Sequence, residues 1–222
     1  MSISRPCKYR PSNTTNTKEI KKMAQFLGFR KAHFARLTTD NKVDGDIITV
    51  EGKQDKGATV EASISGLSKE QSAVWGSDKK YFTSGKGTDN VESTLTILDT
   101  PEDFYQTILG FEDIADIEGA QGVGDETEAP YVAVAMETKA LNGDTVIMAL
   151  TKGKFRANEF SLETSNDGAD EPEGLEINGS HESRDDLGKT FIKFRGTKAD
   201  AEKLLAKIFP TTTPAPQAKS AK

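Results

Sequence analysis

Cysteine is almost absent, with Cys7 the only one in 222 residues. That excludes an intramolecular disulfide framework and any CxxC metal or redox motif, and it suits a chain made inside a cell. Histidine is nearly as scarce, limited to His33 and His181. His33 sits in a strand-like run between Ala32 and Phe34 and reads as a packed or surface residue. His181, in NGSHESRDD, reads as solvated. Cys7 has no neighbouring base to lower its pKa, so nucleophilic acyl transfer lacks its partners. No apolar run approaches the ~20 residues of a membrane span. The opening MSISRPCKYRPSNTTN lacks an apolar h-region, so neither a signal peptide nor a bilayer is expected.

Aromatic platforms are few, with one Trp and four Tyr. The acidic pairs Glu112/Asp113, Asp125/Glu126 and Asp170/Glu171 therefore do not read as glycosidase carboxylates, which need a sugar-binding cleft. Phosphate-binding motifs fail too. GSDKKYFTSGKGT carries Lys80 where a P-loop needs glycine, and no Ser/Thr follows Lys86 directly. GAQGVG has the wrong glycine spacing for a dinucleotide turn. DNKVDGDIITVE (40–51) aligns Asp40, Asp44, Gly45, Ile47 and Glu51 with a calcium loop, but Lys42 falls at a ligand position. An Asp-Gly β-turn is the expected reading there. No cofactor, metal or catalytic residue is expected, and the chain does not read as an enzyme.

What the chain does have is charge, unevenly placed. The net charge is −6, so no general pull toward nucleic acid or anionic membrane is expected. Residues 1–42 hold ten Lys/Arg against two acids, while residues 99–129 hold ten Asp/Glu and no base. Solvation of loops accounts for such asymmetry, and so does head-to-tail self-association.

Periodicity gives the architecture. Residues 1–16 read as a flexible arm. TKEIKKMAQFLG (17–28) reads as a helix, with Thr17 capping and Gly28 closing it. Strands are expected at 31–38, 46–51, 57–66, 73–83 (broken near Gly76) and 90–98. In DKGATVEASISGLS, Val60, Ala62 and Ile64 alternate with Thr59, Glu61, Ser63 and Ser65. In NVESTLTIL, Val91, Leu95 and Ile97 alternate with Glu92, Thr94 and Thr96. Two polar strand faces result. DTPEDFYQTILG reads as a helix capped by Thr100, with Pro101 in its first turn and Gly110 ending it. Residues 111–129 read as an acidic loop. PYVAVAMETKALNGDTVIMALTKGKF reads as two strands joined by a type I′ turn at Asn142-Gly143. Further strands are expected at 154–164, 174–179 and 189–195, with an acidic loop at 165–173. Thr197 then caps a final helix along Ala201, Leu204, Leu205 and Ile208, stopped at Pro210. The division expected is an arm and helix over 1–30, a β domain over 31–209 and a disordered tail over 210–222. The fold class is mainly β: an antiparallel β-sandwich or partial barrel flanked by short helices.

An ordered series of motifs carries a resemblance. GATVEASISGL, then KYFTS, then VESTLTILDTP, and finally PYVAV with LTKGKF together resemble the major tail (tail tube) proteins of long-tailed siphovirus bacteriophages, over about residues 31–165. The resemblance implies a virion structural protein made in the host cytoplasm. Six copies would form a ring, inner strands joining into one β-barrel, and rings would stack around a tape-measure protein. Tail terminator and distal tail proteins are the other implied partners. Double-stranded DNA would pass through without specific binding. Thr59, Glu61, Ser63, Ser65, Glu92, Thr94 and Thr96 are then candidates to face the lumen. Val74, Trp75, Tyr81 and Phe82 are candidate subunit contacts. The alternative is a β-sandwich receptor- or carbohydrate-binding module on a virion or cell surface. A hydrolase using carboxylates is a third reading.

Overall fold

The computed structural model describes residues 26–53, 56–161 and 174–211. The expected arm (1–16), most of the helix at 17–28, Cys7, the loop at 165–173 and nearly all of the C-terminal tail lie outside them.

In chain order the elements are β1 (Phe26–Arg36), β2 (Ile48–Val50), β3 (Ala58–Ser65), β4 (Ser72–Gly76), β5 (Lys79–Ser84) and β6 (Val91–Leu98). A helical turn α1 (Glu102–Phe104) runs directly into a π-helical turn (Tyr105–Leu109). Next come β7 (Glu112–Asp113), β8 (Gln121–Gly122), β9 (Val132–Ala140), β10 (Thr145–Ala157), β11 (Leu175–His181), β12 (Phe191–Gly196) and α2 (Lys198–Ile208).

The large sheet runs β2-β1-β9-β10-β11-β6-β3, every neighbour antiparallel, with β12 also on β10. The long β10 makes this two layers. Thr145–Leu150 lies between β9 and β12, and Gly153–Ala157 pairs with β11 after an irregularity between Leu150 and Gly153. One layer is therefore β2-β1-β9-β10-β12 and the other β10-β11-β6-β3. At the far side β3 comes back toward β1, where Thr59 Oγ1 donates to the Phe29 carbonyl at 2.9 Å. The result is a sandwich, open as a barrel.

Both layers feed one core. Phe34 and Val134 of the first layer meet Leu95, Ile97 and Ile177 of the second, with Phe104 and Ile108 closing an end. Phe34 stands edge-on to Phe104 (5.1 Å between ring centres) and to Phe155 (6.0 Å), the geometry that aromatic quadrupoles favour. The other face of the first layer is also covered. Ala35, Ala133, Ala135 and Ala149 form a small-residue floor on which α2 sets Ala201 and Ile208. Short side chains there let the helix approach closely, so Val132–Met136 of β9 is buried on both faces and reads as a continuous apolar run.

Helix α2 begins as its sequence indicates. Thr197 Oγ1 accepts from the Asp200 amide at 3.3 Å, satisfying a first-turn N–H. Thr197→Ala is expected to cost about 1 kcal/mol, read as a lowered urea midpoint with an unchanged slope.

Several local expectations change. Phe26, Leu27 and Gly28 lie in β1, not a helix, and Gly28 takes φ +69° where the β1–β9 register shifts. Pro101, not Thr100, precedes the first helical residue, and no side chain caps it. The acidic segment carries a two-residue ladder, β7–β8, in place of a bare loop. Residues 158–161 are not strand, so β10 stops short of 164. At Asn142-Gly143 only the glycine has positive φ (+86°). With Gly143 N–H donating to Ala140 O (2.9 Å) and Ala140 N–H to Asp144 O (3.0 Å), this is a three-residue bend with a glycine bulge. The primed two-residue turn occurs instead at Ser77-Asp78, φ +52° and +61°, between β4 and β5.

Candidate functional site

The outer face of the second layer is polar across all four strands. Strand register arranges it in rows. Glu61, Thr96 and Glu176 form one; Ser63, Thr94, Asn178 and Arg156 the next; Ser65, Glu92, Ser180 and Lys154 the third. Thr94 Oγ1 donates to Asn178 Oδ1 at 2.8 Å, and Asn178 Nδ2 donates to Glu176 Oε1 at 3.2 Å. These bonds hold the middle of the face in a fixed pattern. Lys154 pairs with Glu128 and lies 4.9 Å above the Tyr131 ring. That hydrogen bond holds the Glu128 carboxyl below its ordinary range. A shallow trough follows the second and third rows, between Ser63 and Arg156.

Six of the seven residues expected on a shared polar face meet there: Glu61, Ser63, Ser65, Glu92, Thr94 and Thr96. Thr59 does not. A β-bulge between Thr59 and Glu61 inserts Val60, so Thr59 pairs with Ile97 and lies on the core side. Val60 is correspondingly 52% exposed, although alternation alone placed it inside. A bulge adds one residue to one strand and reverses its phase.

The sequence reading expects strands at β10 and β11 but places none of their residues on the polar face. LEINGSH sends Ile177 and Gly179 inward and Glu176, Asn178 and Ser180 outward. The period-2 signal was present, but only the strand and not its faces was assigned. Lys154 and Arg156 follow from pairing with β11, which sequence cannot supply.

The four apolar candidates lie together on an arm. The chain leaves the sheet after Ser65, forms the β4–β5 hairpin and returns at Val91. At its base Gly66 has φ +72°, and a Cβ there would fall 1.8 Å from the Asn90 carbonyl oxygen. Only glycine fits where the two limbs close up. Val74 is paired opposite Phe82 and Trp75 opposite Lys80. Their exposures are 56% for Val74, 68% for Trp75, 85% for Tyr81 and 58% for Phe82. Among the described residues no other strand pairs with the arm. An apolar cluster left this open is unusual for a monomer.

The two histidines differ from each other. His33 lies in β1 with Nδ1 2.9 Å from Thr49 Oγ1, and burial pulls its pKa down. His181, expected to be solvated, is 8% exposed. Its Nε2 is 2.7 Å from Ser93 Oγ, and Phe155 stands edge-on at 5.3 Å. Burial lowers its pKa to about 4, opposed in part by the Lys152 backbone. A serine bound to a histidine resembles a nucleophile pair. Here Ser93 is 2% exposed and neither side chain can meet a substrate, so the pair packs the core. The 40–51 segment is a turn in which Asp44 pairs with Arg36 (3.3 Å) and Gly45 takes φ +86°. No cluster of three or more metal-ligating side chains occurs among the described residues. No helix among them is long and apolar enough to cross a membrane.

Comparison with known proteins agrees with a mainly antiparallel β-sandwich. No curated protein matches the chain. The profile of the phage tail tube protein family matches residues 38–214, most of the sequence and nearly all of the described fold. The chain belongs to the phage tail tube protein family, a family of structural virion components.

Proposed function

We propose that this chain is the tail-tube subunit of a long-tailed phage. Six copies close into a ring, rings stack around a tape-measure protein, and the hollow tube conducts double-stranded DNA during ejection. The tube is bounded by tail terminator and distal tail proteins. The polar outer face of the β10-β11-β6-β3 layer lines the lumen.

One observation carries this reading: two unbroken polar rows cross all four strands, and a third crosses three, in a layer whose lateral edges have no further partner strand among the described residues. Beyond Gly153, β10 has no second partner strand among the described residues, and β3 pairs only with β6. Edges of this kind invite pairing with another chain. Joining β3 of one copy to β10 of the next makes a heterologous contact, which closes into a ring when the rotation allows. The polar rows then run around the inside of a continuous barrel. Their carboxylates, Glu61, Glu92 and Glu176, outnumber Lys154 and Arg156, and Lys154 is occupied by Glu128. DNA passing such a wall meets few cations that would hold its phosphates. On the same reading Val74, Trp75, Tyr81 and Phe82 contact neighbouring subunits.

Two measurements test the proposal. Electron microscopy of the concentrated protein, with a tail-tip initiator supplied, should show rings or tubes. In virions, Ser63→Lys with Thr94→Lys should slow DNA ejection on the order of tenfold, more steeply at low salt. Virions that assemble with both lysines and eject at the wild-type rate would remove this face from the lumen.

A further inference from the structure

We infer that the aromatic arm of one copy docks on the acidic β7–β8 hairpin of a second copy. The inference rests on the tail-tube reading and adds the identity of the arm's receptor.

Among the described residues, two projecting hairpins each expose several large apolar side chains. The arm is one. The other is the segment around β7 and β8, where Ile114 is 49% exposed, Ile117 60% and Val123 62%. This hairpin has a defined shape: Ile114 N–H donates to the Ala120 carbonyl at 2.8 Å, and the Ile114 side chain lies over Gly122. Among the described residues, β4 and β5 pair only with each other, and so do β7 and β8.

Charge tells which surfaces meet. Lys69, Lys79, Lys80 and Lys86 outnumber Glu70, Asp78 and Asp89 along the arm, and Lys79 and Lys80 lie directly beside the exposed aromatics. The β7–β8 segment holds Glu112, Asp113, Asp116, Glu118, Asp125 and Glu126, with no Lys or Arg. Arm against arm would bring lysines together, and hairpin against hairpin would bring carboxylates together. Only the crossed pairing joins apolar to apolar and cation to anion, so the like pairings are disfavoured by the same residues. A crossed contact uses a different patch on each copy, so it propagates from subunit to subunit, as a ring or a stack requires.

The test uses the full chain with a tail-tip initiator and reads the polymerised fraction by sedimentation and electron microscopy. K79E with K80E should cut that fraction about tenfold, and so should E118K with E126K, since each juxtaposes like charges. Combining all four substitutions should restore most of it. Copies carrying Trp75→Cys and copies carrying Val123→Cys, mixed and oxidised, should cross-link to each other more than to themselves. If the charge-reversed proteins polymerise like wild type, or the four-fold variant does no better than its parents, the arm has another receptor. The basic segment before residue 26 would then be the next candidate partner for the acidic hairpin, and the tube reading would stand. If the wild-type chain never polymerises with the initiator, both readings fall.

Discussion

Arg184→Ala is expected to lower the stability of the subunit by about 4 kcal/mol, the cost of unpaired helix-end carbonyls beside a new cavity. Arg184 is fully buried and is the largest such side chain among the described residues. Each of its three guanidinium nitrogens has an acceptor. Nη1 donates to the Ile208 carbonyl at 2.6 Å, Nη2 to the Lys207 carbonyl at 2.7 Å and Nε to Asp186 at 2.7 Å. Lys207 and Ile208 end α2, where backbone carbonyls lack helical partners and the dipole is negative. Arg184 thus ties the helix terminus to the loop between β11 and β12. Alanine would leave two carbonyls unpaired, Asp186 without its cation and a void behind α2. Thermal unfolding should fall by roughly 10 °C for a chain of this size. Arg184→Lys tests the geometry. It keeps the charge but cannot serve three acceptors at once, so its loss should be about half that of alanine. A lysine variant as stable as wild type would mean that charge alone matters. An alanine variant within 1 kcal/mol of wild type would mean that α2 docks through Ala201 and Ile208 without the clamp.

How much of this was readable beforehand depends on whether the signal is local. β6 was fully legible, because Val91, Leu95 and Ile97 alternate with Glu92, Thr94 and Thr96 and no residue breaks the phase. Helix α2 was legible for the same reason, since cap, stripe and stop all lie within fifteen residues. β3 was half legible. Its alternation is good, yet the bulge at Val60 is decided by pairing with β6, so the phase on its N-terminal side was assigned to the wrong face. The jump of β10 between layers at Gly153 is likewise a property of its partners. A Cβ there would fall 2.2 Å from His181 Nδ1, so the glycine answers a side chain far away in sequence. The polar face as a surface was beyond reach, because it exists only once β10, β11, β6 and β3 stand side by side. The arm's apolar residues share one hairpin, as their spacing indicates, but their exposure depends on no other described strand covering it, which composition cannot reveal.

His181 is the clearest case of a residue whose context inverted its reading, and it carries the last prediction: the subunit loses about 2 kcal/mol of stability between pH 7 and pH 5, and about 3 kcal/mol by pH 4. The folded pKa is about 4, against about 6.5 in an unfolded chain. Between those values the unfolded state binds a proton that the folded state refuses, so stability rises with pH across the window and is lost as pH falls through it. The physical cause is burial. Ser93 Oγ occupies Nε2, the Phe155 ring closes one side, and Gly153 and Gly179 press close, leaving no room for the water that would solvate an imidazolium. His33 is shifted in the same direction and adds to the slope. Glu51 is held at about 2 by hydrogen bonds from Lys31 and Lys53, so what it contributes is lost only at lower pH. His181→Gln separates the terms, because glutamine can keep a bond to Ser93 and does not titrate here. The variant should be about 1 kcal/mol less stable than wild type at pH 7, from lost packing against Phe155, and should equal or exceed it by pH 5. Urea unfolding at both pH values reads the crossover. If wild type and variant lose the same stability on acidification, the acid sensitivity resides in other groups and the Ser93–His181 pair is only a packing contact.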